Sequence, residues 1–271
     1  MPSSASPSTI FPGAASLLVR LHMRLTFLGT RGNIQASSRL HRMHSAVIVD
    51  GGGGRVLIDC GEDWLGRAAR LRPAAILISH AHDDHAAGLR KGAPCGVYAS
   101  AEAWRAMARW PLAIRYVVPP RRAFALASLI VEAWPVEHSI LAPAVGYRVT
   151  AGGTRMFYVP DVAHIPDPSA ALRDVDVYVG DGATLGRPLV RRRGAVRIGH
   201  ATIGTQLGWC ATAGVKEAIF THCGSGIVRS DPRTTAVALE AIARDHGVRA
   251  RLAYDGFRLT LVTTGSSSSS H

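Results

Sequence analysis

The chain has 271 residues, 47% of them apolar, which is enough to bury the core of one large domain or two small ones. No apolar run approaches the roughly 18–20 residues that cross a bilayer, so the sequence excludes a membrane-spanning protein and predicts no membrane partner. Lys and Arg number 31 against 19 Asp and Glu, and this net charge of +12 favours anionic ligands, although an Arg-rich solvated surface would give the same value.

The two ends of the chain differ from the rest. Residues 1–22 begin Ser/Pro-rich and are predicted to be disordered or extended, and residues 265–271 read as a linker with the remnant of a purification tag. Residues 23–264 contain no linker or shift in composition, so we predict a single domain. The four cysteines form no CxxC pair, which argues against a disulfide framework or zinc knuckle and favours a cytoplasmic location.

Hydrophobic periodicity gives the elements of the first half of the chain. In chain order they are a strand at 23–30, a hairpin over 44–61 turning at Gly51–Gly54, a helix over 62–72, an apolar strand at 74–79, a strand at 96–100 and a helix over 101–110. The short apolar strand is of the kind that is covered on both faces of a sheet.

The second half continues with strands before its helices. In chain order the predicted elements are strand-like runs at 114–120 and 124–136, a hairpin over 145–161, a strand at 174–182, a helix over 202–214, a strand at 217–223, a helix over 232–247 and a strand pair over 250–261 turning at Asp255–Gly256. This order predicts an α/β protein in which two sheets pack face to face with helices outside, a four-layer αββα sandwich.

A dense group of metal-binding side chains follows the strand at 74–79. His80, His82, Asp84 and His85 spell H-x-H-x-D-H. In an extended segment His80 and His82 point the same way, and a turn after them can bring Asp84 and His85 close. Imidazole and carboxylate suit Zn, Mn or Fe, and two ions about 3.5–4 Å apart are a recurring hydrolytic design.

Four ligands cannot complete two metal ions, so further ligands are needed elsewhere. The candidates that follow apolar runs, as ligands on the edge of a sheet should, are His138, Asp161 and His222. Each alone could be an ordinary polar residue at the end of a strand. Together with the H-x-H-x-D-H group they predict a dinuclear centre.

The pattern over 23–264 resembles the metallo-β-lactamase-fold hydrolase superfamily, nearest to the ribonuclease Z and PhnP-type phosphodiesterase group. The resemblance implies the αββα fold of that superfamily, a first metal held by His80, His82 and His138, a second held by Asp84, His85 and His222, and Asp161 with a hydroxide bridging the two. It also implies that Asp59, in "VLIDCGED", orients ligands by hydrogen bonds.

Two further stretches resemble the same group: "GYRV" at 146–149, and "DVDVYVGDG", in which Asp181 closes a strand and is a further candidate for orienting ligands. In that group a histidine upstream of the last ligand protonates the leaving oxygen. His200, 22 positions before His222, would take this role here, and Asp84 is assigned to catalysis with it. The alternative is that His200 is a surface histidine.

An arginine-rich stretch precedes His200 and contains Arg187, Arg191, Arg192, Arg193 and Arg197. Guanidinium groups bind phosphate through paired hydrogen bonds, although a charge run is more often a solvated loop. The residues predicted to bind substrate are Arg191, Arg193, Arg197 and His164.

The function that follows is hydrolysis of small or cyclic phosphodiesters by two divalent ions, Zn or Mn with Fe as a further candidate, and with His200 as the general acid. His138 and Asp161 lie only 23 positions apart, which leaves no room for the long arm of transfer-RNA-processing enzymes. A small anionic substrate is therefore favoured over nucleic acid. The zinc-binding cysteine cluster of some PhnP-type enzymes is also missing.

Three alternatives stay open: a lactone or ester hydrolase on the same metal centre, a ribonuclease Z-like RNA endonuclease without the long arm, and a nucleic-acid-binding protein without catalysis. The sequence is also compatible with a homodimer.

Overall fold

A computed structural model describes residues 22–261, and within this range most of the strands form two seven-stranded sheets. The first sheet contains β1 (Met23–Gly29), β2 (Ala46–Asp50), β3 (Arg55–Ile58), β4 (Ala75–Ile78), β5 (Val97–Ala99), β6 (Arg115–Val117) and β16 (Arg258–Leu261), in the order β16-β1-β2-β3-β4-β5-β6. Neighbours from β16 to β3 are antiparallel, and those from β3 to β6 are parallel. The predictions for residues 1–21 and 265–271 lie outside the described range.

The second sheet contains β7 (Phe124–Leu126), β8 (Leu129–Val136), β9 (Ala144–Ala151), β10 (Thr154–Tyr158), β11 (Val177–Asp181), β14 (Glu217–Thr221) and β15 (Arg249–Leu252), in the order β15-β14-β11-β10-β9-β8-β7. Neighbours from β7 to β10 are antiparallel, and those from β10 to β15 are parallel. The run at 124–136 is therefore two strands, because Ala127 and Ser128 take positive φ values of 46° and 66° and turn the chain.

The helices lie on the outer faces of the two sheets. They are α1 (Asp83–Ala86), α2 (Ala101–Ala106), α3 (Pro168–Ala171), α4 (Ile203–Ala213), α5 (Ser225–Val228) and α6 (Pro232–His246). Among the described residues no helix is both long and apolar enough to span a membrane.

Three apolar clusters hold the layers together. Leu25 and Tyr147 belong to the cluster between the two sheets. Phe157 of the second sheet packs in a cluster with Leu239 of α6, and Trp104 of α2 lies in the cluster on the outer face of the first sheet. Burying each such side chain contributes roughly 1.5–3 kcal/mol. The predicted αββα sandwich is confirmed.

Two predicted helices differ from the structure. Residues 62–72 form two short 3₁₀ helices, Glu62–Trp64 and Ala68–Leu71, because Gly66 takes a φ of +71° between them. The helix predicted over 101–110 ends at Ala106.

The predicted strand pair at the end of the chain is wrong, because β15 pairs with β14 and β16 pairs with β1. Asp255 lies between β15 and β16, and its contacts explain why the chain passes from the second sheet to the first. Its Oδ1 accepts hydrogen bonds from the backbone and hydroxyl of Thr30, and its Oδ2 accepts from the backbone of Arg42 and Met43. These hydrogen bonds hold the turn against the loop after β1, so β16 lies next to β1 in the first sheet.

The arginine-rich stretch contains a third, two-stranded sheet rather than a loop alone. β12 (Arg191–Arg193) and β13 (Val196–Ile198) pair antiparallel. This arginine hairpin stands immediately before His200.

Strand direction brings the predicted ligands to one edge of each sheet. β3 and β4 are parallel, so Asp59 and His80, which follow them, lie at the same edge of the first sheet. β8, β10, β11 and β14 share one direction in the second sheet. The residues that follow or end these four strands are His138, Asp161, Asp181 and His222.

Candidate metal centre

Asp161 lies at the centre of the predicted ligands. Its Oδ2 is 3.1 Å from Nε2 of His80 and 3.3 Å from Nε2 of both His85 and His138. Its Oδ1 is 2.8 Å from Nδ1 of His222. One buried carboxylate thus contacts four imidazole rings, which follow three different strands: His80 and His85 come after β4, His138 after β8 and His222 after β14.

The first donor group combines Asp161 with three histidines. Nδ1 of His82 lies 2.9 Å from Nε2 of His80 and 3.3 Å from Nε2 of His138. Donors bound at about 2.0–2.2 Å in a tetrahedron lie about 3.3–3.6 Å apart, close to these separations. These four residues could hold one ion.

The second donor group is formed by Asp84, His85 and His222. Oδ2 of Asp84 lies 3.3 Å from Nε2 of His85 and 3.0 Å from Nε2 of His222. Asp84 and His85 stand on α1, directly after β4, while His222 follows β14 of the other sheet with a φ of +53°. The two sheets therefore meet at this group.

Several buried atoms of the centre form no hydrogen bond. Among the described residues these atoms are Asp84 Oδ1, His85 Nε2, Asp161 Oδ1 and His222 Nδ1. A buried polar atom left without a partner costs about 1–3 kcal/mol. Nitrogen and carboxylate donors that converge in this way fit a divalent cation.

The pKa values at the centre reflect the close approach of these buried imidazole and carboxylate groups. Burial lowers the pKa of His80 well below its ordinary value. Burial would also lower the pKa of His85, but the carboxylates of Asp84 and Asp161 raise it well above the ordinary value for histidine. The pKa of His222 is likewise raised well above that value by the Asp161 carboxylate, which outweighs the effect of burial. Burial would raise the pKa of Asp161, and the neighbouring rings, His222 first, hold it well below its usual range.

Asp59 fixes the orientation of two ligand rings. Its Oδ2 accepts a hydrogen bond from Nδ1 of His85 at 2.9 Å and from the Ser79 hydroxyl at 2.9 Å. The Ser79 oxygen lies 3.0 Å from Nδ1 of His80 and accepts from it. Because both rings donate through Nδ1, their Nε2 atoms are left to face Asp161. The predicted role of Asp59 in orienting metal ligands stays a prediction.

The third ring of the first donor group is held by the main chain. Nδ1 of His138 donates to the carbonyl of Gly199 at 3.1 Å, and the Gly199 N–H donates back to the His138 carbonyl at 2.9 Å. A carbonyl can only accept, so the proton of this ring is on Nδ1 and Nε2 is free to bind an ion. Gly199 is a contact that the sequence did not reveal.

His200 stands beside the second donor group. Its Nδ1 lies 2.8 Å from Oδ2 of the fully buried Asp181. Burial would lower the pKa of His200, but the Asp181 carboxylate raises it above the ordinary value. His200 and Asp181 also lie close enough to Asp161 and His222 that the four could share an ion.

Gln206 positions Asp181, although no motif in the sequence predicts this role. Its Nε2 donates to the carbonyls of Asp181 at 2.7 Å and Ala201 at 3.1 Å, and its Oε1 accepts from the Asp181 N–H and the Tyr178 hydroxyl, both at 2.9 Å. The only signal in the sequence is a glutamine on the apolar side of α4, next to the buried Ile203 and Leu207.

The donor groups open into a cleft of about 560 Å³. Its floor contains His82, Asp84, His138, Asp161, His200 and His222. Its walls are formed by residues 32–34, 183–187 with Leu189, and 224–227. A cavity of this size is typical of a site for a small molecule.

Comparison with known proteins identifies the family. Residues 54–223 match the beta-lactamase superfamily domain. The chain belongs to this superfamily. Membership of the superfamily, together with the two donor groups, supports a metal-dependent hydrolase.

Solved structures share the fold of this beta-lactamase superfamily member. The Bacillus subtilis metallo-beta-lactamase fold protein YhfI is 15% identical, with a TM-score of 0.67 over 88% of this chain and 99% of that one. A diphosphatase from the PhnP family is 22% identical, with a TM-score of 0.64 over 90% and 99%. Human tRNase Z, short form, is 19% identical, with a TM-score of 0.62 over 89% and 100%.

One relative is similar in sequence over a short stretch. Ribonuclease Z of Bradyrhizobium diazoefficiens is 40% identical over 70 residues, which is 24% of this chain and 22% of the relative. The match therefore spans less than a quarter of that protein.

The residues predicted to bind substrate do not line the cleft of this superfamily member. Arg191 and Arg193 are exposed on β12, and Nη1 of Arg197 donates to Glu137 at 3.1 Å. The His164 ring packs 6.2 Å from that of Trp209. Their contact with substrate stays a prediction, and the arginine that the structure places at the cleft is Arg187.

Proposed function

We propose that this protein is a dinuclear metal-dependent phosphodiesterase that acts on small or cyclic phosphodiesters. The observation that carries the proposal is Asp161, whose two oxygens join two donor groups beneath a cleft that His200 also lines. Zn and Mn are the candidate ions, with Fe as a third.

The proposed ligands divide as the donor groups do. His80, His82 and His138 would hold the first ion, Asp84, His85 and His222 the second, and Asp161 would contact both. Two such ions, when bound, lower the pKa of water toward about 7 and neutralise charge on phosphoryl oxygens. The contacts of Asp59, Ser79 and Gly199 with the rings keep the nitrogen donors aimed at the centre.

His200 is proposed to protonate the leaving oxygen. Because Asp181 accepts the hydrogen bond from Nδ1, Nε2 is the nitrogen that would carry the proton given to the leaving oxygen. General acid catalysis of this kind typically contributes about 10²–10⁴-fold to the rate. Gln206 would act through Asp181 by holding its backbone in place.

Size and charge support a small anionic substrate. The cleft of about 560 Å³ suits a molecule of nucleotide size, and the net charge of +12 attracts anions. Similarity to a structure named a diphosphatase and to a relative named ribonuclease Z supports phosphate-ester chemistry.

The test is metal analysis combined with a substrate panel. The protein is depleted with a chelator, reloaded with Zn or Mn, and assayed on bis-p-nitrophenyl phosphate, cyclic phosphodiesters and lactones. We expect about two ions per chain and cleavage of phosphodiesters only in the reloaded protein. Cleavage of lactones without cleavage of phosphodiesters would instead support the lactone or ester hydrolase.

A further inference from the structure

A second cavity, of about 700 Å³, shares part of its wall with the metal cleft. It is lined by residues 38–41, 227–230 and 250–254 and by one side of α6. Residues 32–34 and 224–227 line the metal cleft, so two segments of the chain continue from one cavity to the other, and Ile227 lines both. A ligand in the second cavity would therefore contact segments that also form the cleft.

His41, which is only 6% exposed, contributes a buried imidazole to the lining of this second cavity. The Thr30 hydroxyl donates to Oδ1 of Asp255 at 2.7 Å, so its oxygen accepts from Nδ1 of His41, 2.8 Å away. Burial lowers the pKa of His41, so at pH 7 the ring is neutral and Nε2 is a hydrogen-bond acceptor. Among residues 22–261 this Nε2 has no hydrogen-bond partner. The buried lining thus offers one unused acceptor to a ligand.

The rest of the second cavity is apolar where it is buried and mainly cationic where it is exposed. The buried apolar residues in its lining include Ile227, Val228, Leu239 and Ala253. The exposed charged residues in its lining are three arginines and one glutamate: Arg39, Arg229, Arg251 and Glu240. This excess of positive charge favours an anionic group at the opening. The ring of Tyr254, 44% exposed, also lies in the lining and offers an aromatic face to a planar group.

We infer that the second cavity is a ligand site separate from the metal centre, and that it takes a nucleoside monophosphate whose base carries an amino group. The amino group donates to Nε2 of His41, the base packs against the apolar walls, and the phosphate lies among the arginines of the opening. A volume of about 700 Å³ is within the range of small-molecule sites. The inference does not depend on the proposed function, because none of the proposed metal ligands lines this cavity.

The experiment compares two nucleotides by calorimetric binding to the metal-loaded protein. They are adenosine 5′-monophosphate and purine riboside 5′-monophosphate, which lacks only the amino group of the base. Wild-type protein is expected to bind the first more tightly by about three- to tenfold, because only its amino group can donate to Nε2 of His41. His41→Phe should remove this difference, since phenylalanine has no acceptor. A difference that survives in His41→Phe, or equal binding of the two nucleotides to wild type, overturns the inference.

A matched pair on α6 locates the binding even if His41→Phe does not fold. Ala236 and Ala238 are both exposed, but only Ala236 lines the second cavity. Ala236→Trp fills the opening and should weaken binding of adenosine 5′-monophosphate by about tenfold or more, whereas Ala238→Trp should leave it unchanged. Equal binding by the two variants would place the nucleotide elsewhere, the metal cleft included, and overturns the inference, as does absence of binding to wild type. Each outcome is read without turnover, so a failure of the phosphodiesterase proposal stays distinguishable.

Discussion

Nδ1 of His200 lies 2.8 Å from Oδ2 of Asp181, and the same carboxylate accepts hydrogen bonds from the backbone of Val162 and Ala183. Three donors on one buried carboxylate fix both its position and the ring that it holds. The contact joins a loop before α4 to the end of β11, two parts of the chain that are 19 residues apart. His200 therefore has a defined orientation at the cleft.

His200→Ala is expected to slow cleavage of diesters with alkoxide leaving groups by about 10²–10⁴-fold, because the leaving oxygen loses its proton donor. The loss should be smaller for p-nitrophenyl diesters, since p-nitrophenolate leaves without protonation. Steady-state kcat on a cyclic phosphodiester and on bis-p-nitrophenyl phosphate, with elemental analysis of each protein, measures this. His246→Ala on α6 is the control. Equal losses on both substrates, or a parallel loss of bound metal, would contradict the role.

Asp84→Asn and Asp83→Asn form a matched pair on α1. Asp84 is buried and lies 3.0 Å from Nε2 of His222, whereas the Asp83 side chain is 52% exposed and pairs with Arg90. We expect Asp84→Asn to lose about one ion per chain and most activity, because the second donor group loses its anionic ligand. Asp83→Asn should retain both. Elemental analysis after dialysis measures the metal content of both variants. Metal loss in Asp83→Asn would show that the ligand assignment is wrong.

Asp59→Asn should weaken metal binding by about 10–100-fold, the usual effect of removing a group that orients a ligand. The Asp59 carboxylate accepts from the backbone and hydroxyl of Ser79 and from His85, and an amide cannot accept all three. Asparagine tolerates the φ of +61° at this position, so the backbone is not strained. Competition with a chromogenic chelator measures affinity, with Asp50→Asn at the end of β2 as the control. Unchanged affinity in Asp59→Asn would rule out the orienting role.

Gln206→Leu is expected to lower the free energy of unfolding by at least about 2 kcal/mol, because it leaves several buried partners without hydrogen bonds. The exposed Gln35 is the control, and Gln35→Leu should change stability by less than about 0.5 kcal/mol. Urea denaturation followed by circular dichroism gives both values. If Gln206→Leu lowers the free energy of unfolding by no more than Gln35→Leu does, Asp181 and Tyr178 find other hydrogen-bond partners.

The native protein is expected to react slowly with thiol reagents at neutral pH. All four cysteines are free, and burial raises the pKa of Cys60 to about 12 and that of Cys95 to about 11. Below its pKa a thiol gains about tenfold in thiolate with each pH unit, so labelling of the half-buried Cys95 should rise steadily between pH 7 and 10. Colorimetric labelling before and after unfolding tests this, and a fast native phase at pH 7 would contradict it.

Local patterns were enough to predict most elements and the seven candidate ligands. His80, His82, Asp84 and His85 are close together in the chain, and a short apolar strand followed by a turn places them together whatever the rest of the fold. His138, Asp161 and His222 could be added because each follows an apolar run. One exception is equally local in cause: Gly66 interrupts a helical pattern, and its φ of +71° cannot be read from apolar spacing.

The sequence by itself determined the layered α/β architecture and the chemistry of the donors, because both follow from periodicity and residue type. Only the tertiary structure decided which atoms meet. Three features depend on contacts between distant parts of the chain: the pairing of β16 with β1, the four hydrogen bonds of Gln206 and the position of Arg187 at the cleft. Such contacts are fixed by sheet order and side-chain packing, which no local stretch of sequence contains.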